Sequence, residues 1–159
     1  MLSAARRRAK TIERVLTLVR PLVAPDGDID TTLARIAARR QRVITITELA
    51  TPPGGPSGAW VKMAKQDLFI VKDGASPTRR EAILCHELGH LLLDHKGELS
   101  LPHLEAIAPD VPRDLAARYL ARHGYDDEQE REAELFATLL LAELKGRQQH
   151  IDMVTARLL

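Results

Sequence analysis

The sequence predicts an α+β fold, in which a small three-stranded sheet packs against one largely apolar helix and further helices flank it at both ends. Three observations predict it. Residues 4–20 and 30–40 repeat apolar side chains at the three- and four-residue spacing of a helix with one buried face. Residues 42–71 carry three short runs rich in β-branched and aromatic residues, separated by Pro and Gly. From residue 77 onward helical spacing returns. With 159 residues, 45% hydrophobic and 28% charged, the chain can build one core and is too short for two ordinary ones. We therefore treat residues 1–159 as a single domain, with a basic helical part at 1–42 and a core at 43–145.

The elements follow in order. In residues 4–20, Ile12, Val15, Leu16 and Val19 form the inward face, and Pro21 stops the helix. "PLVAPDGDID" is a loop, and Asp30 or Thr31 is the expected cap of a second helix running to Arg40, with Leu33, Ile36 and Ala37 inward. "RVITITEL" alternates like a strand. "TPPGGPSG" is a loop, and "AWVKM" and "DLFIV" are strands joined as a hairpin at "AKQ"; "DLFIV" is expected beside the helix that follows, where an extended peptide can bind it by edge pairing. Pro77 suits a first helical turn, with Thr78 and Glu81 as the expected capping box. The helix that follows is apolar from Ile83 to Leu93 and should stop at Gly97. Residues 98–112 read as irregular, "RDLAARYLARHG" as a helix, and "DDEQEREAELFATLLLAELKG" as a long helix ending near Lys145.

Composition narrows the setting. No apolar run is long enough to span a bilayer, so no membrane role is expected. Glu13, Arg14 and Arg20 interrupt what would have to be the apolar part of a signal peptide. Cys85 is the only cysteine and cannot form an internal disulfide, so a cytoplasmic location is expected. Charge is uneven. Residues 1–42 hold ten Lys/Arg against four Asp/Glu, whereas residues 98–159 hold seven against twelve. No recognition-helix motif or aromatic platform accompanies the basic part, so direct nucleic-acid binding is not expected and solvated helix faces explain it.

The chemistry lies in "REAILCHELGHLLLDH". His86 and His90 are four apart, one turn of a helix, so both imidazoles can converge on one ion. Glu87 stands about 100° round the helix from His86. There it can take the proton of a water whose pKa a zinc ion lowers towards about 7. Burying these groups in an apolar run without a shared partner would be costly. Gly89 lets another backbone approach the helix closely.

A catalytic zinc site needs a third protein ligand. His95 is nine residues after His86 with no intervening turn glycine after His90, which departs from the His-x-x-Gly-x-x-His extension. It is read as a surface residue or as support for a ligand near the helix end. His103 sits in a proline-flanked loop and is read as solvent-exposed. In "EQEREAELFATLLLAE", Glu130, Glu134, Ala137 and Leu141 share one side, beside a buried stripe of Ala133, Phe136 and Leu140. Glu130 can reach a neighbouring helix as a ligand, with Glu134 orienting a ligand histidine. Spacing alone is equally met by a charged first turn that favours the helix dipole. Tyr119, His123 and Tyr125, just before this helix, are candidate hydrogen-bond donors to a tetrahedral oxyanion, and structural roles explain them as well.

"HELGHLLLDH" together with "EREAELFATLLL" resembles the ImmA/IrrE family of zinc metallopeptidases, as does the lead-in "GAWVKMAKQDLFIVKDGASPTRREAILCHELGH". The resemblance spans about residues 43–145. It implies Zn²⁺ held by His86, His90 and Glu130, with Glu87 as general base. It also implies a protein substrate, a helix-turn-helix transcriptional regulator cut at a specific site. Three features depart from the family pattern. Glu134 replaces the usual Asn or Asp, the closing proline is absent, and 40 residues separate His90 from Glu130. The alternative is a non-catalytic metal-binding regulator, or a toxin–antitoxin partner, acting by protein contact.

Overall fold

The computed structural model describes residues 3–23, 27–50, 57–96 and 125–158. Among them, four helices flank a mixed three-stranded sheet, the α+β arrangement the sequence predicts. Helix α1 (Ala4–Val19) is capped by the Ser3 hydroxyl, which accepts from the Arg6 N–H. Its inward face is completely buried at Val15 and Val19. Helix α2 (Ile29–Arg40) begins earlier than expected. Asp28, not Asp30 or Thr31, caps it by accepting from the Thr31 N–H at 2.9 Å. This start places Ile29 in the core and leaves Asp30 outside, where it pairs with Arg80 at 2.9 Å.

The sheet comprises β1 (Val43–Leu49), β2 (Gly58–Lys62) and β3 (Gln66–Lys72) in the order β1-β3-β2. β2 and β3 form the expected antiparallel hairpin, with Trp60 opposite Phe69, while β1 lies parallel to β3 with Ile46 opposite Phe69. The sequence suggests "DLFIV" as an edge strand able to pair with an extended peptide. The structure corrects this, because β3 is paired on both sides. Its run Phe69–Ile70–Val71 is buried throughout, as suits a central strand covered on both faces. The strand with an edge unpaired among the described residues and lying against the metal-motif helix is β2. Arg42 staples the hairpin. Its guanidinium donates to the Asp67 carboxylate at 2.9 Å and to the carbonyls of Met63 and Gln66.

Helix α3 (Pro77–Leu92) is also capped differently from the expectation. The Ser76 hydroxyl accepts from the Arg79 N–H, so the Thr78–Glu81 box is not the cap. Pro77, with its fixed φ and missing N–H, belongs at the first helical position, which makes the preceding residue the cap. The helix ends at Leu92, before Gly97, and the chain reverses at Asp94 with φ 54°.

Helix α4 (Asp127–Leu158) continues through Gly146, where the sequence suggests a stop. A mid-helix glycine costs only about 1 kcal/mol relative to alanine, and no proline follows to force an end. Its buried stripe contains Ala133, Phe136 and Leu140 as expected, extended by Ala137 and Leu144.

Helix α3 lies between the sheet and α4, and Leu84, Leu88 and Leu91 join Phe69, Phe136 and Leu140 in one core. Each such side chain contributes about 1.5–3 kcal/mol on burial. The irregular segment and helix expected over residues 98–124 lie outside the described residues. No helix among the described residues is long and apolar enough to cross a membrane.

Candidate active site

The central position of α3 decides which of its polar residues meet water. Glu87 is 6% exposed and His90 1%, whereas His86 stands at the rim. One helical turn brings His86 Nε2 and His90 Nε2 to 3.1 Å from each other. From α4, Glu130 reaches across: Oε2 lies 3.1 Å from His86 Nε2, and Oε1 lies 3.5 Å from His90 Nε2.

Two nitrogens and a carboxylate thus converge, with donor atoms all within 4.8 Å of one another, and could hold a metal ion. Donors bound to one tetrahedral zinc at about 2.0–2.1 Å stand about 3.3 Å apart. The spacings observed fit that set without rearrangement of the helices.

The electrostatics follow from the geometry. Close contact with His86 first and His90 second holds the Glu130 carboxyl down at about 2. The same contact with Glu130 raises His86, while burial lowers His90 below the ordinary imidazole range. Glu87 behaves oppositely to Glu130. Burial pushes its carboxyl up to about 7, with Glu130 adding to the rise, while His86 and the Trp60 backbone N–H draw it down. A carboxyl poised near neutrality can both take and return a proton at neutral pH.

The remaining residues singled out from the sequence are placed as follows. Glu134 Oε2 stands 3.2 Å from His86 Nδ1, on the side of the ring opposite the cluster. Tyr125 stacks on His90, with ring centroids 3.7 Å apart and planes 11° apart, and burial raises its hydroxyl above the usual phenol range. Tyr119, His123 and His103 lie outside the described residues. His95 is buried at 7% exposure, which removes the surface alternative, and its Nδ1 lies 3.0 Å from Nδ1 of His90.

Sequence reasoning missed Glu132, whose Oε2 stands 3.1 Å from His95 Nε2. A signal existed. At 100° per residue, Glu130 and Glu134 flank one edge of the α4 apolar stripe and Glu132 flanks the other. It also missed Gly58. A Cβ there would collide with Ile83 and stand 3.4 Å from the Glu87 carboxylate. Beside the cluster a cleft of about 410 Å³ opens between Gly58, Ile83 and Glu87 on one side and Ala137 and Leu141 on the other, with Arg79 in its wall.

An HExxH helix packed on a small sheet, with a glutamate arriving from the next helix described, defines a metallopeptidase-like α+β domain. The family model of the IrrE N-terminal-like domain, peptidase M78, matches residues 37–144, and the chain belongs to that family. The match takes in the sheet, α3 and the part of α4 that bears Glu130, and α1 lies outside it. No curated protein and no solved structure matches the chain closely enough to establish kinship.

Proposed function

We propose that this protein is a zinc-dependent, site-specific endopeptidase that cleaves a cytoplasmic regulatory protein, with helix-turn-helix transcriptional repressors as the substrate class. The observation that carries the reading is the convergence of His86, His90 and Glu130 beside the buried Glu87. Family membership supports the hydrolytic class, and the resemblance to ImmA/IrrE proteins supports the choice of repressor.

His86, His90 and Glu130 would hold the ion, which when bound supplies a Lewis acid that acidifies water and polarises a peptide carbonyl. Glu87 accepts the proton of the attacking water at its carboxylate and returns it to the leaving amine. The Trp60 N–H, which donates to that carboxylate, keeps it aimed from β2. Tyr125 packs flat on His90 and limits its rotation. The edge of β2 that is unpaired among the described residues suits an extended peptide, and the adjoining cleft takes one of its side chains. A two-helix DNA-reading substrate would have to unfold locally to present such a segment.

Metal content comes first. Elemental analysis of protein purified without added metal should give about one zinc per native chain, and clear loss in Glu130→Ala. Absence of zinc from the native protein after dialysis against it would overturn the reading. Glu87→Gln should then bind zinc normally, fail to cleave, and retain a co-expressed repressor that the native enzyme cuts at one bond. Cleavage undiminished in Glu87→Gln would remove Glu87 from the chemistry.

A further inference from the structure

His90 has its own support behind it, separate from the ligand cluster. Helix α3 closes with Leu93 N–H donating to the Gly89 carbonyl, and Asp94 then turns the chain back in the left-handed region. His95 N–H donates to the His90 carbonyl at 3.0 Å. That reversal lays the His95 ring against His90, with Nδ1 facing Nδ1 at 3.0 Å and ring planes 67° apart. The other nitrogen of His95 meets Glu132 Oε2 at 3.1 Å. Arg14 of α1 comes within 4.0 Å of Glu132 and donates to the Leu93 carbonyl.

We propose that Glu132 and His95 form a relay that fixes His90 in its metal-ready tautomer, making both of them positioning residues for the candidate metal site. A carboxylate at neutral pH only accepts hydrogen bonds, and a neutral imidazole has one donor and one acceptor nitrogen. Glu132 therefore fixes the proton of His95 on Nε2. The His95 Nδ1 lone pair must then accept, which fixes the proton of His90 on Nδ1. That leaves the lone pair of His90 on Nε2, the nitrogen that faces His86 and Glu130. The reverse order would point an N–H at the cluster and set a lone pair against Glu132.

Glu134 performs the same service for His86 directly and in the open, with 74% of its side chain exposed. On the His90 side the partner lies too deep for one carboxylate to reach, and a second histidine spans the gap. Water competes little for these rings, because His95 is 7% and His90 1% exposed.

The inference rests on the metal-site reading, and its test separates the two. His95→Phe fills the ring's space without an acceptor, whereas in His95→Asn the amide Oδ1 replaces the ring Nδ1 as acceptor. In chelator competition, His95→Phe and Glu132→Leu should weaken zinc binding by about 10- to 100-fold. His95→Asn and Glu132→Gln, which keep an acceptor, should recover most of the loss. A packing role predicts the opposite order at position 95. Independently, long-range proton–nitrogen spectra of the metal-free native protein should show His90 protonated on Nδ1, with that preference lost in Glu132→Leu.

His90 protonated on Nε2 in the native protein, or native affinity in His95→Phe, would overturn the relay. Should His95→Phe fail to fold, the native spectrum and the Glu132 pair still decide. A native chain that binds no zinc would defeat the metal reading, and the imidazole spectrum would still judge the relay.

Discussion

Gly89 of α3 lies directly against the backbone of Ala133 on α4. A Cβ at Gly89 would stand 3.2 Å from both the Cα and the carbonyl oxygen of Ala133, and 3.1 Å from the Phe136 ring. Backbone cannot move aside as a flexible side chain can. This contact therefore sets the distance between the helix bearing His86 and His90 and the helix bearing Glu130. Gly89→Ala should push the helices apart, costing about 1–3 kcal/mol of stability. It should also weaken metal binding more than an alanine at Gly146, where no atom of the described residues lies within 4 Å of a Cβ. Chelator competition on both variants checks this, and equal metal affinity in the two would show that the close approach does not govern the site.

The buried Glu87 carboxyl links stability to pH with a definite sign. Its folded value, about 7, lies above the 4.5 of the free group, so the folded chain holds that proton more tightly than the unfolded chain. Its ionisation therefore costs nothing below pH 4.5, opposes folding increasingly as pH rises from 4.5 to 7, and opposes it in full above 7. In metal-free protein, Glu87→Gln should be more stable than native at pH 8 by up to about 3 kcal/mol, and the difference should vanish below about pH 4.5. Parallel stability–pH curves from urea denaturation would contradict the assignment.

Arg42 and Asp67 form the second polar cluster of consequence. Asp67 is 1% exposed and accepts from Arg42 Nε at 2.9 Å and from the Trp60 indole N–H at 3.1 Å. Arg42→Ala leaves a buried charge with one neutral donor and removes a donor from three hairpin carbonyls, so it should cost about 3–5 kcal/mol. Asp67→Asn should cost less, because an amide oxygen still accepts. Trp60 is the only tryptophan, so its emission during urea unfolding reports both variants, and a loss under 1 kcal/mol in Arg42→Ala would refute the stapling role.

Cys85 is fully buried, and desolvation raises its thiol far above the ordinary range. It should be inert to a thiol reagent in the native protein and react once per chain after denaturation. Rapid reaction in the folded state would mean that α3 opens locally.

Much of this protein was legible in its sequence because the relevant signals are local. A period of 3.6 at Val15 and Val19, alternation in "VITITEL", and the four-residue step from His86 to His90 are fixed by backbone geometry over a few residues. They identified the helices, the strands and two of the three clustered donors without reference to the rest of the chain. The caps were harder. Asp28 and Ser76 are the caps, yet Asp30, Thr31 and Thr78 nearby carry the same kind of signal, and the choice depends on burying Ile29 and on seating Pro77 at the first helical position.

Tertiary structure alone decided everything that depends on two distant segments meeting. Spacing within "DDEQERE" suits a solvated first turn as well as a ligand; only the packing of Gly89 on Ala133 brings Glu130 within 3.1 Å of His86. Strand order likewise has no local signature, so β3 could be recognised as a strand but not as the central one. Glu132 and His95, 37 residues apart, are joined only because α3 reverses at Asp94 beside the far edge of α4. Short-range sterics write themselves into short stretches of sequence, whereas the meeting of side chains across a core is a property of how whole faces fit.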